Sequence, residues 1–506
     1  MCGILGILSK DGKNVVSLAV SMMQRLLHRG QDGFGIALDD GSTLYIRTFK
    51  ELVGKSENIE SPIVLGHNRL AIVGKTSQPI ADDKVVVGCN GEIYNYLSLA
   101  ETYDLSIKES ESGTKALFSI IHSYENVNLF SLSDLLSQLD GDFACFVYLP
   151  RDKILYLFRD PFGVKPLWYG FNKNFFAFAS ERKALWAIGL NSYALKPTDL
   201  LVFDYSKFRL SIISGMIDVL QFFDYDWIKN LGDIKKHITE SLSDAIRKRV
   251  SNLNKYSILF SGGLDSAVLL YLAKEYNPKL TAYTTGLPNA EDLKLVERMS
   301  SQLDVELRFV LLNEEIIMKS LSEVIKFTEE YNPIKVSVAL SLFNASKQSS
   351  QDGHKVIMTG LGAEEIFSGY KKYQDLINFG PYAVHDACAV GLRSIWNRDL
   401  YYSDTITMAN TQEVRVPYLD LQLAKIAMRV HPYLKVTPYM KKVILRAVAD
   451  EIGVPKEFAW RPKKAAQYGV GIDRILKKII KREGYEHMLD YFYSIFCKYY
   501  SCKSNK

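Results

Sequence analysis

The run Tyr256-Ser257-Ile258-Leu259-Phe260-Ser261-Gly262-Gly263-Leu264-Asp265-Ser266 constrains this chain more than any other segment. Its first five residues are mostly apolar, too short a run for a helix and suited to a buried strand. Two adjacent glycines then permit a tight reversal, and helical spacing resumes over 266–275. A strand that ends in a glycine turn and opens a helix is the repeating unit of a parallel sheet. The alternation continues with a strand over 280–284, a helix over 292–303, a strand over 306–311 and a strand end at 356–359. Such sheets bind ligands beyond the carboxyl ends of their strands. The turns at Ser261 and at Thr359 both lie there.

The chemistry of the first turn points to a nucleotide. Glycines let backbone amides approach a phosphate, and a helix amino terminus favours negative charge. Ser261 and Ser266 add hydroxyl donors. Asp265 repels phosphate, so its natural partner is a bridging Mg²⁺. No Gly-Lys-Ser/Thr occurs here, which excludes a Walker A loop. The competing reading is an ordinary tight turn with an acid near a helix start, and the complete strand–turn–helix context argues against it. The second turn, Thr359-Gly360-Leu361-Gly362-Ala363-Glu364-Glu365, offers a carboxylate at Glu364 that could share the metal. A helix capped by acids is a serious rival reading of that turn alone.

A second chemical signature stands far upstream. If Met1 is removed, Cys2 presents a thiol and a free amine on one carbon, a nucleophile with its own base. His28 and His67 invite a Cys–His reading, but their segments fit structural roles better. The region around them reads as short strands over 3–8, 34–38, 42–48, 63–67, 85–89, 143–149, 154–159 and 175–180, with helices over 15–27 and 114–124. Stacked sheets flanked by helices fit that pattern.

A length of 506 residues suits two domains. The pattern places the first at 2–204, a linker at 205–232 and the second at 233–506, mainly helical from about 367. The net charge of +5 is small, and no basic block resembles a nucleic-acid arm. The pairs Lys441-Lys442 and Lys477-Lys478 read as solvated helix faces. No run is apolar enough to cross a bilayer, and the apolar start, Ile4 to Leu8, is too short for a signal peptide and lacks a basic leader. Cysteine spacing indicates neither a zinc site nor a disulfide framework, which suits a reducing cytoplasm. The aromatic tail around Tyr491 to Tyr500 reads as a final amphipathic helix packed on the body.

Over nearly its whole length the chain resembles the glutamine-hydrolysing asparagine synthetases. The matching segments are Cys2-Gly3-Ile4, His28-Arg29-Gly30-Gln31-Asp32, Gly66 to Ile72, Asn90-Gly91-Glu92-Ile93-Tyr94-Asn95, Arg159 to Leu167, Ser180 to Leu185, the Ser261 turn, Glu413 to Asp420, and Trp460-Arg461-Pro462-Lys463. The resemblance implies an amino-terminal αββα Ntn-hydrolase sandwich. An α/β, Rossmann-like ATP pyrophosphatase domain with a helical carboxyl-terminal part would follow it. It implies that Cys2 attacks the glutamine amide while Asn90 and Gly91 hold the oxyanion. Arg69 and Glu92 would take the α-carboxylate and α-amine, in a pocket lined by Leu70, Ala71, Ile72, Val73 and Gly113. ATP would lie on Leu259, Ser261, Gly262, Gly263, Leu264, Asp265, Ser266, Thr285, Thr359 and Gly360. Asp265 and Glu364 would hold Mg²⁺, and Lys463 would stabilise the transition state of aspartate adenylation. The implied partners are glutamine, aspartate and ATP, with homodimers common among relatives and neither nucleic acid nor membrane required.

Three departures stand out. Gly113 replaces an acid that helps bind the glutamine amine, with Glu109 or Glu111 as substitutes. Leu361 replaces an acid linked to amide formation. Lys464-Ala465-Ala466 replaces a Glu-Gln-Phe run. A ligase for another carboxylate, or a non-catalytic homologue, therefore stays open at this point.

Overall fold

A computed structural model of the protein describes residues 2–108, 111–216, 225–228, 230–276, 279–461 and 471–500. The chain forms two compact units, Met1–Gln221 and Phe222–Lys506.

The first unit holds two antiparallel sheets. One has seven strands, in the order Tyr193–Ala194, Trp168–Phe171, Phe175–Ala179, Gly3–Ser9, Ile63–Arg69, Gly33–Leu38 and Thr43–Ile46. The other has six, in the order Arg209–Ile213, Leu200–Asp204, Ile154–Arg159, Gly141–Leu149, Val86–Ile93 and Ile80–Ala81. The strand Gly3–Ser9 is buried throughout, and its period-two geometry explains why it is apolar on both faces. Ile4 and Leu8 point toward the other sheet, into a core with Val86, Phe146, Leu157, Phe178 and Phe203. Leu5 and Ile7 point the other way, against Val16, Ala19 and Met23 of the helix Val16–Arg25. The outer face of the second sheet is covered by the helices Gly113–Ser123 and Leu129–Gln138 through Leu117, Ile120, Leu132 and Leu136. The layers are thus helix, sheet, sheet, helix. Each fully buried Leu or Phe contributes about 1.5–3 kcal/mol by removal from water.

Residues read as linker begin inside this unit. Arg209–Ile213 pairs antiparallel with Leu200–Asp204 and forms an edge of the second sheet, so the expected boundary at 204 cuts a hairpin. Its exposed, alternating residues had obscured it. The helix Leu129–Gln138 was also not anticipated.

The second unit is built on a five-stranded parallel sheet. Its order is Glu306–Leu311, Leu280–Gly286, Tyr256–Leu259, Val356–Met358 and Glu413–Arg415. The strand order reverses between Tyr256–Leu259 and Val356–Met358. A crevice forms at such a switch point, and both glycine turns leave the sheet there. The edge strand Glu413–Arg415 was hidden by its two charges, which pair with each other at 3.2 Å in a buried position. The tail forms the helix Met488–Phe496, which buries Tyr491, Phe492 and Ile495 as expected. Cys497 is disulfide-bonded, a crosslink that the spacing did not announce, because pairing depends on three-dimensional sulfur geometry. Among the described residues no helix is long and apolar enough to cross a membrane.

Candidate functional sites

Cys2 sits at the start of the strand Gly3–Ser9, in the first unit, and is 7% exposed. Its backbone N–H donates to Asn90 Oδ1 at 3.0 Å. That bond turns the Asn90 amide so that Nδ2 is buried without a hydrogen-bond partner. A buried, unmatched donor costs about 1–3 kcal/mol, and it is the group an oxyanion would satisfy. Gly91 follows on the same strand, Val86–Ile93. Arg29 Nε donates to the Cys2 carbonyl oxygen at 2.9 Å. Arg29 is itself held by Glu181 at 2.6 Å, and Glu181 also takes Lys183 at 2.5 Å and His28 at 2.9 Å. Burial alone would raise the Glu181 pKa, but these neighbours hold it well below the carboxylate range. Burial draws His28 down to about 4 despite Glu181, so His28 is a neutral structural ring.

His67 is different. Burial raises the Cys2 thiol pKa, yet the adjacent His67 ring, the amino terminus and the Leu70 N–H overcome it and bring the thiol down to about 6. His67 is fully buried, and its Nε2 lies 3.3 Å from the Cys89 carbonyl oxygen. The sequence reading gives His67 a structural role, and the fold places its ring next to the thiol. A signal existed: 67 and 69 share one face of a strand, and Arg69 was already a candidate.

Of the expected glutamine-binding residues, Arg69 ends the strand Ile63–Arg69 and Leu70 to Val73 follow it, while Asn90, Gly91 and Glu92 lie on Val86–Ile93 of the other sheet. Arg69 Nη2 donates to the Gly74 carbonyl at 2.8 Å, and the Ala71 N–H donates to Asp32 at 2.8 Å. Leu70 is buried, whereas Ala71, Ile72, Val73 and Glu92 are half-buried.

In the second unit, the Ser261 N–H donates to Ser266 Oγ at 3.2 Å, and the Gly263 N–H donates to Ser261 Oγ at 3.4 Å. Gly262 has φ +67°, the left-handed conformation that glycine adopts without strain. The helix Leu264–Ala273 starts with no side-chain cap, which leaves its first amides available to an anion. Leu259 and Thr285 close neighbouring strands at the same edge. The Thr359 hydroxyl is buried without a hydrogen-bond partner. A Cβ on Gly360 would lie 3.0 Å from the Asp265 Cβ, so the two glycine turns touch. Asp265 and Glu364 converge on the Lys442 ammonium, with distances of 2.6 and 2.9 Å. These hard oxygen donors suit Mg²⁺ once nucleotide phosphates add theirs.

The chain matches two family models, Asparagine synthase over 237–383 and 378–489, and Glutamine amidotransferase domain over 54–216. It is 32% identical to a Methanocaldococcus jannaschii protein assigned to the glutamine-hydrolyzing asparagine synthetases, covering 96% of each chain. The chain belongs to the glutamine-hydrolysing asparagine synthetase family. More distant members include asparagine synthetase B of Escherichia coli, 25% identical over 97% of this chain and 86% of that one. The Gallus gallus asparagine synthetase is 28% identical over 93% and 84%.

Measured against the asparagine synthetase pattern, the Gly113 departure has a steric cause. A Cβ there would lie 2.7 Å from Ile93 Cβ and 3.0 Å from Ile93 O, so the first turn of Gly113–Ser123 packs where an acid would need room. Glu111 does not substitute freely, because its Oε2 accepts from the Lys108 N–H at 2.8 Å. Glu109 lies outside the described residues, as does Lys463 with the segment after it. Arg461, just before that segment, pairs with Asp292 at 2.5 Å. A Cβ on Gly262 would lie 3.9 Å from its Nη1. Four residues after Leu361, Glu365 is 1% exposed and accepts from Tyr370 Oη at 2.9 Å and from Arg398. Lys477 and Lys478 are solvated as expected. Lys442 overturns that reading, since its side chain is 4% exposed.

Proposed function

We propose that this protein makes asparagine from aspartate, glutamine and ATP, releasing glutamate, AMP and pyrophosphate. The single observation that carries the glutaminase half is the Cys2–Asn90 contact, which leaves one amide donor aimed at no protein acceptor. With Met1 removed, the Cys2 thiolate attacks the glutamine side-chain carbonyl carbon. The developing oxyanion takes hydrogen bonds from Asn90 Nδ2 and the Gly91 N–H. The amino terminus protonates the departing nitrogen, which leaves as ammonia, and water then cleaves the γ-glutamyl thioester. Arg69 fits the α-carboxylate with a bidentate guanidinium, and Glu92 fits the α-amine. Ala71, Ile72 and Val73 supply backbone around the substrate.

At the second site the uncapped helix start and the serine hydroxyls receive ATP phosphates, with Thr359, Gly360 and Thr285 around the nucleoside. The aspartate β-carboxylate attacks the α-phosphorus and pyrophosphate leaves. Ammonia, delivered internally, then attacks the acyl carbon and displaces AMP. Asp265 and Glu364 would hold Mg²⁺, which offsets phosphate charge when bound. Lys463 is the further cation of this reading. A cytoplasmic location and a homodimeric assembly go with the family.

The test is product analysis with glutamine, ATP, Mg²⁺ and aspartate. Asparagine, glutamate, AMP and pyrophosphate are expected from the parent protein. Cys2→Ala should make asparagine from ammonia and none from glutamine. Glutamate release without aspartate-dependent AMP would sink the acceptor assignment.

A further inference from the structure

We propose that Lys442 is a resident counter-ion that holds Asp265 and Glu364 together in the metal-free protein and is displaced by the divalent cation that arrives there. This rests on the metal reading of those two carboxylates. Lys442 Nζ lies 2.6 Å from both Asp265 oxygens and 2.9 Å from Glu364 Oε1. The side chains of Asp265 and Glu364 are 19% and 12% exposed, and that of Lys442 is 4% exposed. Two partly buried carboxylates in the first turns of neighbouring helices repel each other unless a cation lies between them. The ammonium stands at the point where both converge, which is where a metal bridging them would stand.

The fold goes to some length to put it there. Lys442 has φ +56° at the start of the helix Val443–Glu451, a left-handed conformation that non-glycine residues seldom adopt. A Cβ on Gly369 would lie 1.9 Å from Glu364 Oε2 and 2.1 Å from Lys442 Cε, so glycine makes the room. An ammonium and a divalent cation cannot share that point, because like charges a few ångströms apart repel strongly. The flexible four-carbon stem of lysine lets the charge swing aside while the backbone stays. Metal entry and lysine exit are therefore one exchange, and the carboxylates need not reorganise.

Mn²⁺ is the probe, followed by electron paramagnetic resonance of the free ion on the full chain without nucleotide. Lys442→Met keeps the bulk and removes the charge. It should bind Mn²⁺ about tenfold or more tightly than the parent, the worth of a charge-assisted contact no longer competing. Adding Asp265→Asn should erase the gain. Lys442→Met should also melt below the parent without metal and recover when Mn²⁺ is added. A readout on the parent protein guards against misfolding of the variant. Acetylation of Lys442 by acetic anhydride, read by mass spectrometry, should rise on adding Mn²⁺. Equal Mn²⁺ affinities in parent and Lys442→Met, both abolished by Asp265→Asn, would overturn the exchange while leaving the metal reading intact. So would Lys442 acetylation that Mn²⁺ leaves unchanged. Absence of Asp265-dependent Mn²⁺ binding in either protein, with or without ATP, would overturn the metal reading and the exchange together.

Discussion

At Cys2 two effects oppose each other. Burial favours the neutral thiol, and the His67 ring with the amino terminus favours the thiolate strongly enough to bring the pKa down to about 6. An ordinary cysteine titrates near ~8.5, so the sulfur is mostly ionised at neutral pH here. The sign follows: alkylation of Cys2 by iodoacetamide should rise as pH increases through 6 and level off above about 7. His67→Ala should move the midpoint upward, toward the ordinary value. An unchanged midpoint, measured by labelling followed by mass spectrometry, would show that His67 does not set the thiol. Cys2 was legible as a candidate nucleophile from its position and neighbours in the chain. The place of His67 was not, because strand pairing sets which side chain faces the sulfur: Ile4 lies opposite His67 in the antiparallel register.

Strand register and helix packing decide the next level. Gly113 begins a helix seated on Ile93, and the nearest approach of a built Cβ is 2.7 Å. Restoring the family's acid with Gly113→Asp should therefore destabilise the first unit by about 1–3 kcal/mol, the usual cost of overpacking, without tightening glutamine binding. Thermal unfolding together with the glutaminase KM checks both parts. A lower KM at unchanged stability would mean that the helix yields and the acid finds the amine. From the sequence this position was visible as a departure and not as a steric fact. The glycine turn after Tyr256–Leu259 was legible in full, since its strand, turn and helix are contiguous and their hydrogen bonds are local. The edge strands Arg209–Ile213 and Glu413–Arg415 were not, because a short strand with charged or exposed residues is stabilised by its neighbour rather than by its own pattern.

On the scale of the whole molecule, the Cys2 site is built within the first unit and the Asp265 site within the second. Asp265→Asn should lower ATP–pyrophosphate exchange by at least about 100-fold, as loss of a phosphate-site electrostatic group does, and leave glutamine hydrolysis standing. Cys2→Ala should do the reverse. Loss of basal glutaminase in Asp265→Asn would mean that the two halves are coupled more tightly than their separate cores suggest.

The sequence by itself determined the sandwich of sheets, the parallel nucleotide fold and most candidate residues, because contiguous motifs encode local geometry and hydrophobic period encodes burial. Tertiary structure alone decided that Lys442, read as a surface lysine, is buried between Asp265 and Glu364, and that the His67 ring lies buried beside the Cys2 thiol. The 177 residues separating Lys442 from Asp265 carry no signal of that contact. A charge is recognised as a partner or as a solvated group only when the fold has removed the water around it.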